Sequence, residues 1–365
     1  MPEPGTSFRR AVVCVPARNE AEVLPRLLGS LGSQDGVEGL RLRVVVLANN
    51  CSDDTAGAAR RAAEEAGLDL RLIEASLPPE AAHVGTARRM ALDAGAAWLE
   101  AEGVADGVLL STDADALAPP NWVTANLRAL EGAELVGGRL VIDDSHAPPD
   151  AALAELHRRI ECYWAGIRAL EAAIDPPSYD PEPRHGDHVA ASLALRADLY
   201  RAVGGLPVIP CGEDNALVAL VRRHGGRVRH CPAVSIRVSA RRNGRVEGGM
   251  ATEMLRRSRV VAGHEDYRLP PAGFWRALIE RRRDWRLAWN AVDRQGALRA
   301  LGIGSADLAA IGAGPGLNDI AFVERMDAHR GPLAPEPDPV PLGAAIAGID
   351  DLLREPASPQ AALCA

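Results

Sequence analysis

The feature that most constrains the fold is an alternation of apolar runs and helical patterns at the start of the chain. Ala11-Val12-Val13-Cys14-Val15 is an unbroken apolar run, as expected of a strand buried on both faces. Leu42 to Leu47 and Gly107 to Thr112 have the same character, and Leu70 to Glu74 is a shorter run. Between them, Val23, Leu24, Leu27, Leu28 and Leu31 recur at helical spacing. Ala56 to Ala66 and the stretch opened by His83 and reaching Glu102 supply two more helices. Ser52 or Asp53 is the expected cap of the Ala-rich helix, with Gly67 at its end. The order β-α-β-α-β-α-β predicts an α/β fold, a doubly wound parallel sheet over residues 1–115.

Polar residues gather where these strands end. Pro16-Ala17-Arg18-Asn19-Glu20 follows the first strand, Asn49, Asn50 and Asp53 follow the second, and Asp113 and Asp115 follow the fourth. Open α/β sheets bind ligands outside the carboxyl ends of their strands, so three such junctions converge on one crevice. Asp113 and Asp115 offer two hard oxygen donors one residue apart, a pair suited to Mg²⁺ or Mn²⁺ on a diphosphate. The competing reading is an aspartate turn made for local reasons. Pro119-Pro120 stops the strand, and Asn121 is the expected cap of the next helix.

The second half follows a different pattern. Glu134 to Asp143 alternates as a strand, and Asp150 to Ile174 is a helix with Leu156, Ile160, Trp164 and Ile167 on one face, which reads Trp164 as core, with exposure at an acceptor groove as the alternative. Asp175 to Asp187, rich in Pro and polar residues, reads as a flexible loop over the site, with His185 and His188 in or beside it. Val189 to Leu195 is a strand, and Cys211 to Asn215 opens a helix from Ala216 to Arg223. Val228 to Val238 holds one or two strands broken at Pro232. The expected organisation is a mixed-sheet domain over 1–245, divided at residue 115, then a helical extension over 246–330. A loosely packed Pro-rich tail over 331–365 carries the amphipathic piece Leu342 to Leu353.

The formal charge of −8 argues against a general nucleic-acid binder. Six cysteines without C-x-x-C pairing or zinc-like spacing fit a reducing compartment. No signal peptide pattern is visible, and no apolar run approaches the ~20 residues of a membrane span. The expectation is a cytoplasmic protein, compatible with peripheral attachment to the inner face of a membrane.

The strand from Val12 to Glu20 resembles the opening motif of family-2 glycosyltransferases, whose GT-A fold is a doubly wound mixed sheet flanked by helices. Val46 to Thr55 is similar to the family's second motif, Thr112-Asp113-Ala114-Asp115 to its D-x-D motif, and Gly212-Glu213-Asp214 to its later acidic motif. The resemblance covers residues 11–245. It implies an inverting, metal-dependent transferase that moves one sugar from a UDP- or GDP-sugar to an acceptor hydroxyl. Asp214 would be the base, with Glu213 the less favoured choice. Asp115 and Asp113 would hold Mn²⁺ or Mg²⁺, with His230 as a further ligand. Pro16, Ala17, Arg18, Glu20, Asn49, Asn50 and Asp53 would hold base and ribose, and Ala114 would line the donor. Arg88, Arg241, Arg242 and Arg245 would meet the phosphates.

Two departures stand out. Asn49-Asn50 occupies a place where the family often has Asp, and the Q-x-x-R-W motif of processive synthases is absent, which points to a non-processive enzyme. Two alternatives stay open: a haloacid-dehalogenase-like phosphatase using Asp113 as nucleophile, and a catalytically inactive nucleotide-sugar-binding protein.

Overall fold

The computed structural model describes residues 8–36, 40–143, 150–239, 250–333, 335 and 337–355. The chain forms two compact units, Met1–Pro148 with Pro183–Glu253, and Pro149–Glu182 with Met254–Ala365. The division is therefore not the linear one expected. The long helix over Ala151–Ile174 belongs to the second unit, although strands on both sides of it in sequence belong to the first.

The first unit is built on a seven-stranded mixed sheet of order β3-β2-β1-β4-β6-β5-β7. Its strands are β1 (Ala11–Ala17), β2 (Arg43–Asn49), β3 (Asp69–Ala75), β4 (Val108–Ser111), β5 (Leu135–Asp143), β6 (Leu193–Arg196) and β7 (Val228–Ser239). β3, β2, β1 and β4 are parallel, as the alternation predicts. β6 then runs antiparallel between β4 and β5, and makes the sheet mixed.

Helices α1 (Leu24–Gly32), α2 (Thr55–Glu65), α3 (Val84–Ala101) and α4 (Trp122–Ala129) connect the strands of the first half, and α6 (Ala197–Ala202) and α7 (Glu213–Arg223) lie between β6 and β7 in sequence. The sheet separates two cores. Val13 and Val15 of β1 pack in one with Leu24, Leu28 and Trp122; Val12 and Cys14 pack in the other with Ala91, Leu92 and Leu99 of α3. This is the period-2 consequence of an all-apolar strand. A Cβ on Gly95 would lie 2.7 Å from the Cys14 sulfur, so only glycine lets α3 approach β1 this closely.

Several local expectations change. Asp54, not Ser52 or Asp53, caps α2, accepting from the Gly57 N–H. Asn121 stands at the cap of α4 without a side-chain cap bond. β7 runs through Pro232 as one strand, but its pairing with β5 lapses between His230 and Ser235, around the expected break. The pairing with β5 shifts register between Gly137 and Arg139, and that irregularity takes up the residue that lacks a donor. Ala190–Ser192 is a 3₁₀ turn, so β6 is shorter than the expected strand. The stretch Pro183 to His188 is pinned to the sheet rather than lying free over it. His185 N donates to His230 O (3.4 Å), and Asp187 Oδ2 accepts from Leu140 N (3.0 Å).

The second unit is helical. Its members are α5 (Ala151–Ile174) and α8 (Met250–Val261), followed by α9 (Ala272–Asn290), α10 (Arg294–Ala300), α11 (Ser305–Ala310), α12 (Asp319–Arg330) and α13 (Leu342–Arg354). Residues 337–355 of the expected loose tail are an integral part of it. Val340–Pro341 pairs antiparallel with Arg268–Leu269. Leu342, Ala345 and Ile349 of α13 are buried in one core with Leu156, Ile160 and Ile167 of α5. Trp164, expected in the core, is 36% exposed and meets Tyr163 and Trp275 edge-on. Among the described residues no helix is long and apolar enough to cross a membrane.

Candidate active site

The ends of β1 and β2 hold each other. Asn19 and Asn50 adopt φ of 52° and 49°, a left-handed conformation that asparagine tolerates better than most residues. Asn19 Oδ1 accepts from Ser52 N at 2.7 Å. Asn50 Nδ2 donates to Leu77 O (2.8 Å) while its Oδ1 accepts from Leu77 N (3.0 Å), which joins β2 to the segment after β3. Asp53 accepts from Ala21 N and Thr55 N, both at 3.1 Å, and from the Thr55 hydroxyl. Burial would raise the Asp53 carboxyl, but the bonds from Thr55 and Ala21 outweigh it and hold it below the ordinary carboxylate range. Glu20 N donates to Thr55 Oγ1 at 2.9 Å, and Arg18 Nη1 to Ala82 O at 3.1 Å.

The residues expected to read base and ribose are thus largely engaged with neighbouring loops. Pro16 and Ala17 lie within β1, opposite Leu47 and Ala48. Asn49 differs from the others: it is buried, and its Oδ1 has no hydrogen-bond partner among the described residues. A buried carbonyl left so is costly, and a bound ligand donor would remove the cost.

The second junction lies at the end of β4. Asp113 and Asp115 flank the buried Ala114 in a turn, and both are half-buried. Thr112, fully buried, carries a hydroxyl with no hydrogen-bond partner among the described residues. Arg88 of α3 ties this turn to α7 (Glu213–Arg223). Its Nη2 donates to Asp113 Oδ1 (2.8 Å), its Nε to Glu213 Oε1 (3.2 Å), and its Nη1 to Ser111 Oγ (2.9 Å) and Ala190 O (3.4 Å). Burial would lower the Arg88 guanidinium, but Asp113 and Glu213 overcome it and hold the charge in place. Arg88 is therefore a strut between the D-x-D turn and the acidic turn, rather than the open phosphate ligand expected.

Glu213 and Asp214 stand in the first turn of α7, which begins three residues earlier than the expected helix from Ala216, after Gly212 at φ 78°. The positive end of the helix favours both carboxylates. Glu213 is buried against Arg88. Asp214 Oδ2 accepts from Ala190 N (3.0 Å), and its Oδ1 from Asn215 N (2.7 Å) and Asn215 Nδ2 (3.3 Å). Every carboxylate oxygen has two acceptor positions, so a further donor can still approach.

Beside this turn, His188 Nε2 lies 3.1 Å from Asn215 Oδ1, and His188 Nδ1 lies 3.1 Å from His230 Nε2. Burial, then Arg222, His230 and His185, push His188 down to about 3 against a gain from Asn215, so the ring is neutral at neutral pH. His230 Nε2 faces His188 Nδ1. Among the described residues no group of three or more His, Cys, Asp or Glu side chains could hold a metal ion. The donors fit a different arrangement, in which two hard carboxylates share an ion with ligand oxygens. Arg241, Arg242 and Arg245 lie outside the described residues. Sequence reasoning placed His188 only in or beside the polar loop, and gave Ser111, Ala190 and Asn215 no role in the site. Their contacts span large sequence separations or involve main-chain atoms, which no motif spacing records.

Residues 12–154, which carry β1 to β5, match the family model described as glycosyl transferase family 2. The match replaces the phosphatase reading of Asp113. It ends before Glu213 and Asp214, whose place in the site rests on the contacts above.

Many solved structures are similar to this chain, three of which follow. The mannosyltransferase PcManGT from Pyrobaculum calidifontis, in complex with GDP-Man and Mn²⁺, is 20% identical, with 87% of this chain and 86% of that one covered at a TM-score of 0.46. S. aureus TarS 1-349 is 14% identical over 88% and 91%, at a TM-score of 0.43. Glucosyl-3-phosphoglycerate synthase from Mycobacterium tuberculosis, in complex with phosphoglyceric acid, is 20% identical over 72% and 84%, at 0.41. No curated protein matches the chain.

Proposed function

We propose that this glycosyltransferase is an inverting, non-processive enzyme that transfers one sugar from a UDP- or GDP-sugar to an acceptor hydroxyl, with a divalent ion on the donor diphosphate. The observation that carries the reading is the Arg88 strut, which joins the D-x-D turn to Glu213 beside Asp214. Asp115 and Asp113 would hold Mn²⁺ or Mg²⁺, which neutralises the diphosphate and makes it a better leaving group. Asn49, with its unpartnered buried carbonyl, is the residue best suited to meet a donor on the nucleobase or ribose. Arg241, Arg242 and Arg245 supply further phosphate charge.

Asp214 acts as general base. As the acceptor oxygen attacks the anomeric carbon, its proton passes to Asp214. The bond from that carbon to the diphosphate oxygen breaks with its electron pair on the oxygen, and a nucleoside diphosphate leaves. A single displacement of this kind inverts the anomeric centre. Glu213 is less suited to the same role, because its carboxylate is buried against Arg88.

The test is a thermal-shift panel of UDP- and GDP-sugars with Mn²⁺, followed by nucleoside diphosphate release with water as acceptor. A ligand that binds the native state raises the melting temperature. Stabilisation by one nucleotide class and metal-dependent release are expected. Binding without any release supports the inactive binding protein instead.

A further inference from the structure

The contacts around Asp214 impose a direction on the neighbouring side chains. An ionised carboxylate only accepts hydrogen bonds, so the Asn215 amide must present its NH₂ to Asp214 Oδ1. Asn215 Oδ1 then faces His188 Nε2 at 3.1 Å, and this nitrogen must donate. In a neutral imidazole the other nitrogen is an acceptor. His188 Nδ1 therefore accepts from His230 Nε2, 3.1 Å away. Asn215 itself is exposed and would otherwise rotate freely, whereas His188 is half-buried. Successive hydrogen bonds in one direction polarise each other.

We propose that His230, His188 and Asn215 form a directional hydrogen-bond chain that ends on Asp214 and fixes the orientation of its carboxylate, with His188 and Asn215 as positioning residues for the reaction. The proposal rests on the reading of Asp214 as the base. With Oδ2 held by Ala190 N and Oδ1 held from the Asn215 side, the carboxylate has one rotamer, and the approach left to an acceptor hydroxyl is fixed with it. The chain also gives His230 a task within the protein through Nε2.

Two measurements on the full chain test this. Long-range ¹⁵N NMR of the histidine rings at neutral pH reads the tautomer without any substrate. His188 protonated on Nε2 with bare Nδ1 is expected, and protonation on Nδ1 overturns the chain. The second measurement is nucleoside diphosphate release from UDP-glucose and GDP-mannose with Mn²⁺ and water as acceptor. His188→Leu and Asn215→Ala lower kcat about tenfold or more with the donor KM unchanged. His188→Gln restores most of it, because one amide donates to Asn215 and accepts from His230.

Melting temperatures of all variants accompany the rates, and Asn215, being exposed, tolerates truncation. Wild-type kcat in both disruptive variants, or a loss that follows melting temperature and is not restored by Gln, overturns the proposal. Asp214→Asn separates the two claims. Retained release there refutes the base assignment. Loss there, with His188→Leu and Asn215→Ala unchanged, refutes the chain alone. If the wild type releases nothing from either donor, the reading of the site fails while the tautomer still decides the chain.

Discussion

The two polar junctions of the sheet use similar residues in opposite ways. At the ends of β1 and β2, Asn19, Asn50, Asp53 and Thr55 direct most of their hydrogen-bonding capacity at neighbouring backbone and at one another. At the end of β4, Asp113 and Asp115 are half-buried, Arg88 meets Asp113, and Ala190 and Asn215 hold Asp214. The first junction is a weld between loops. The second is a set of acidic groups with supporting contacts. A polar residue after a strand is thus as easily a structural brace as a ligand, and the distinction lies in where its hydrogen bonds go.

The sharpest way to break this contrast is Asp214→Asn, which removes the proposed base while keeping size and shape. Turnover falls about 10³-fold with donor binding retained, measured by product release beside nucleotide titration. Equal activity would place the chemistry elsewhere. Arg88→Ala follows. It leaves Glu213 buried without its partner, a change that costs about 3 kcal/mol, read by denaturant unfolding, and lowers turnover because both acidic turns lose their strut. A stable, fully active Arg88→Ala would contradict the strut.

At the other junction, Asp53→Ala releases Ala21 and Thr55. It should cost about 1–2 kcal/mol of stability and change nucleotide affinity far less than Asp115→Ala. The reverse ranking would make the first junction the ligand site.

A smaller effect depends on pH. Unfolded His188 takes its proton near 6.5, whereas in the fold it stays neutral down to about 3. Between these values the unfolded state binds more protons, so stability rises with pH across the window and falls on acidification. At a pH of about 5.5 the cost is about 1 kcal/mol. It is measured as a drop in melting temperature from neutral pH, and His188→Gln should flatten that slope.

The parallel half of the sheet was legible because its signal is local. Unbroken apolar runs such as Ala11 to Val15 and Val108 to Leu110, separated by helical spacing, leave few topologies. The D-x-D turn was legible for the same reason, since both carboxylates lie within three residues. The inserted strand β6 and the continuous β7 were not, because Pro232 is a breaker by local rules and the β5 register shift that tolerates it is a tertiary feature. The tail was misread for its prolines, although Leu342, Ala345 and Ile349 complete the core of the second unit. At the site, Arg88 was visible as an arginine but not as a buried one. The partners that consume it, Asp113 and Glu213, are 25 and 125 residues away in sequence.

The central claim is that the β4 junction, and not the β1–β2 junction, holds the donor through a divalent ion. Calorimetric titration of UDP and GDP into the wild type and Asp115→Ala, with Mn²⁺ and with chelator, tests it most directly. One nucleotide is predicted to bind the wild type in a Mn²⁺-dependent manner, with affinity at least about tenfold weaker in Asp115→Ala. Binding that is indifferent to Mn²⁺, or equal in the two proteins, would contradict it.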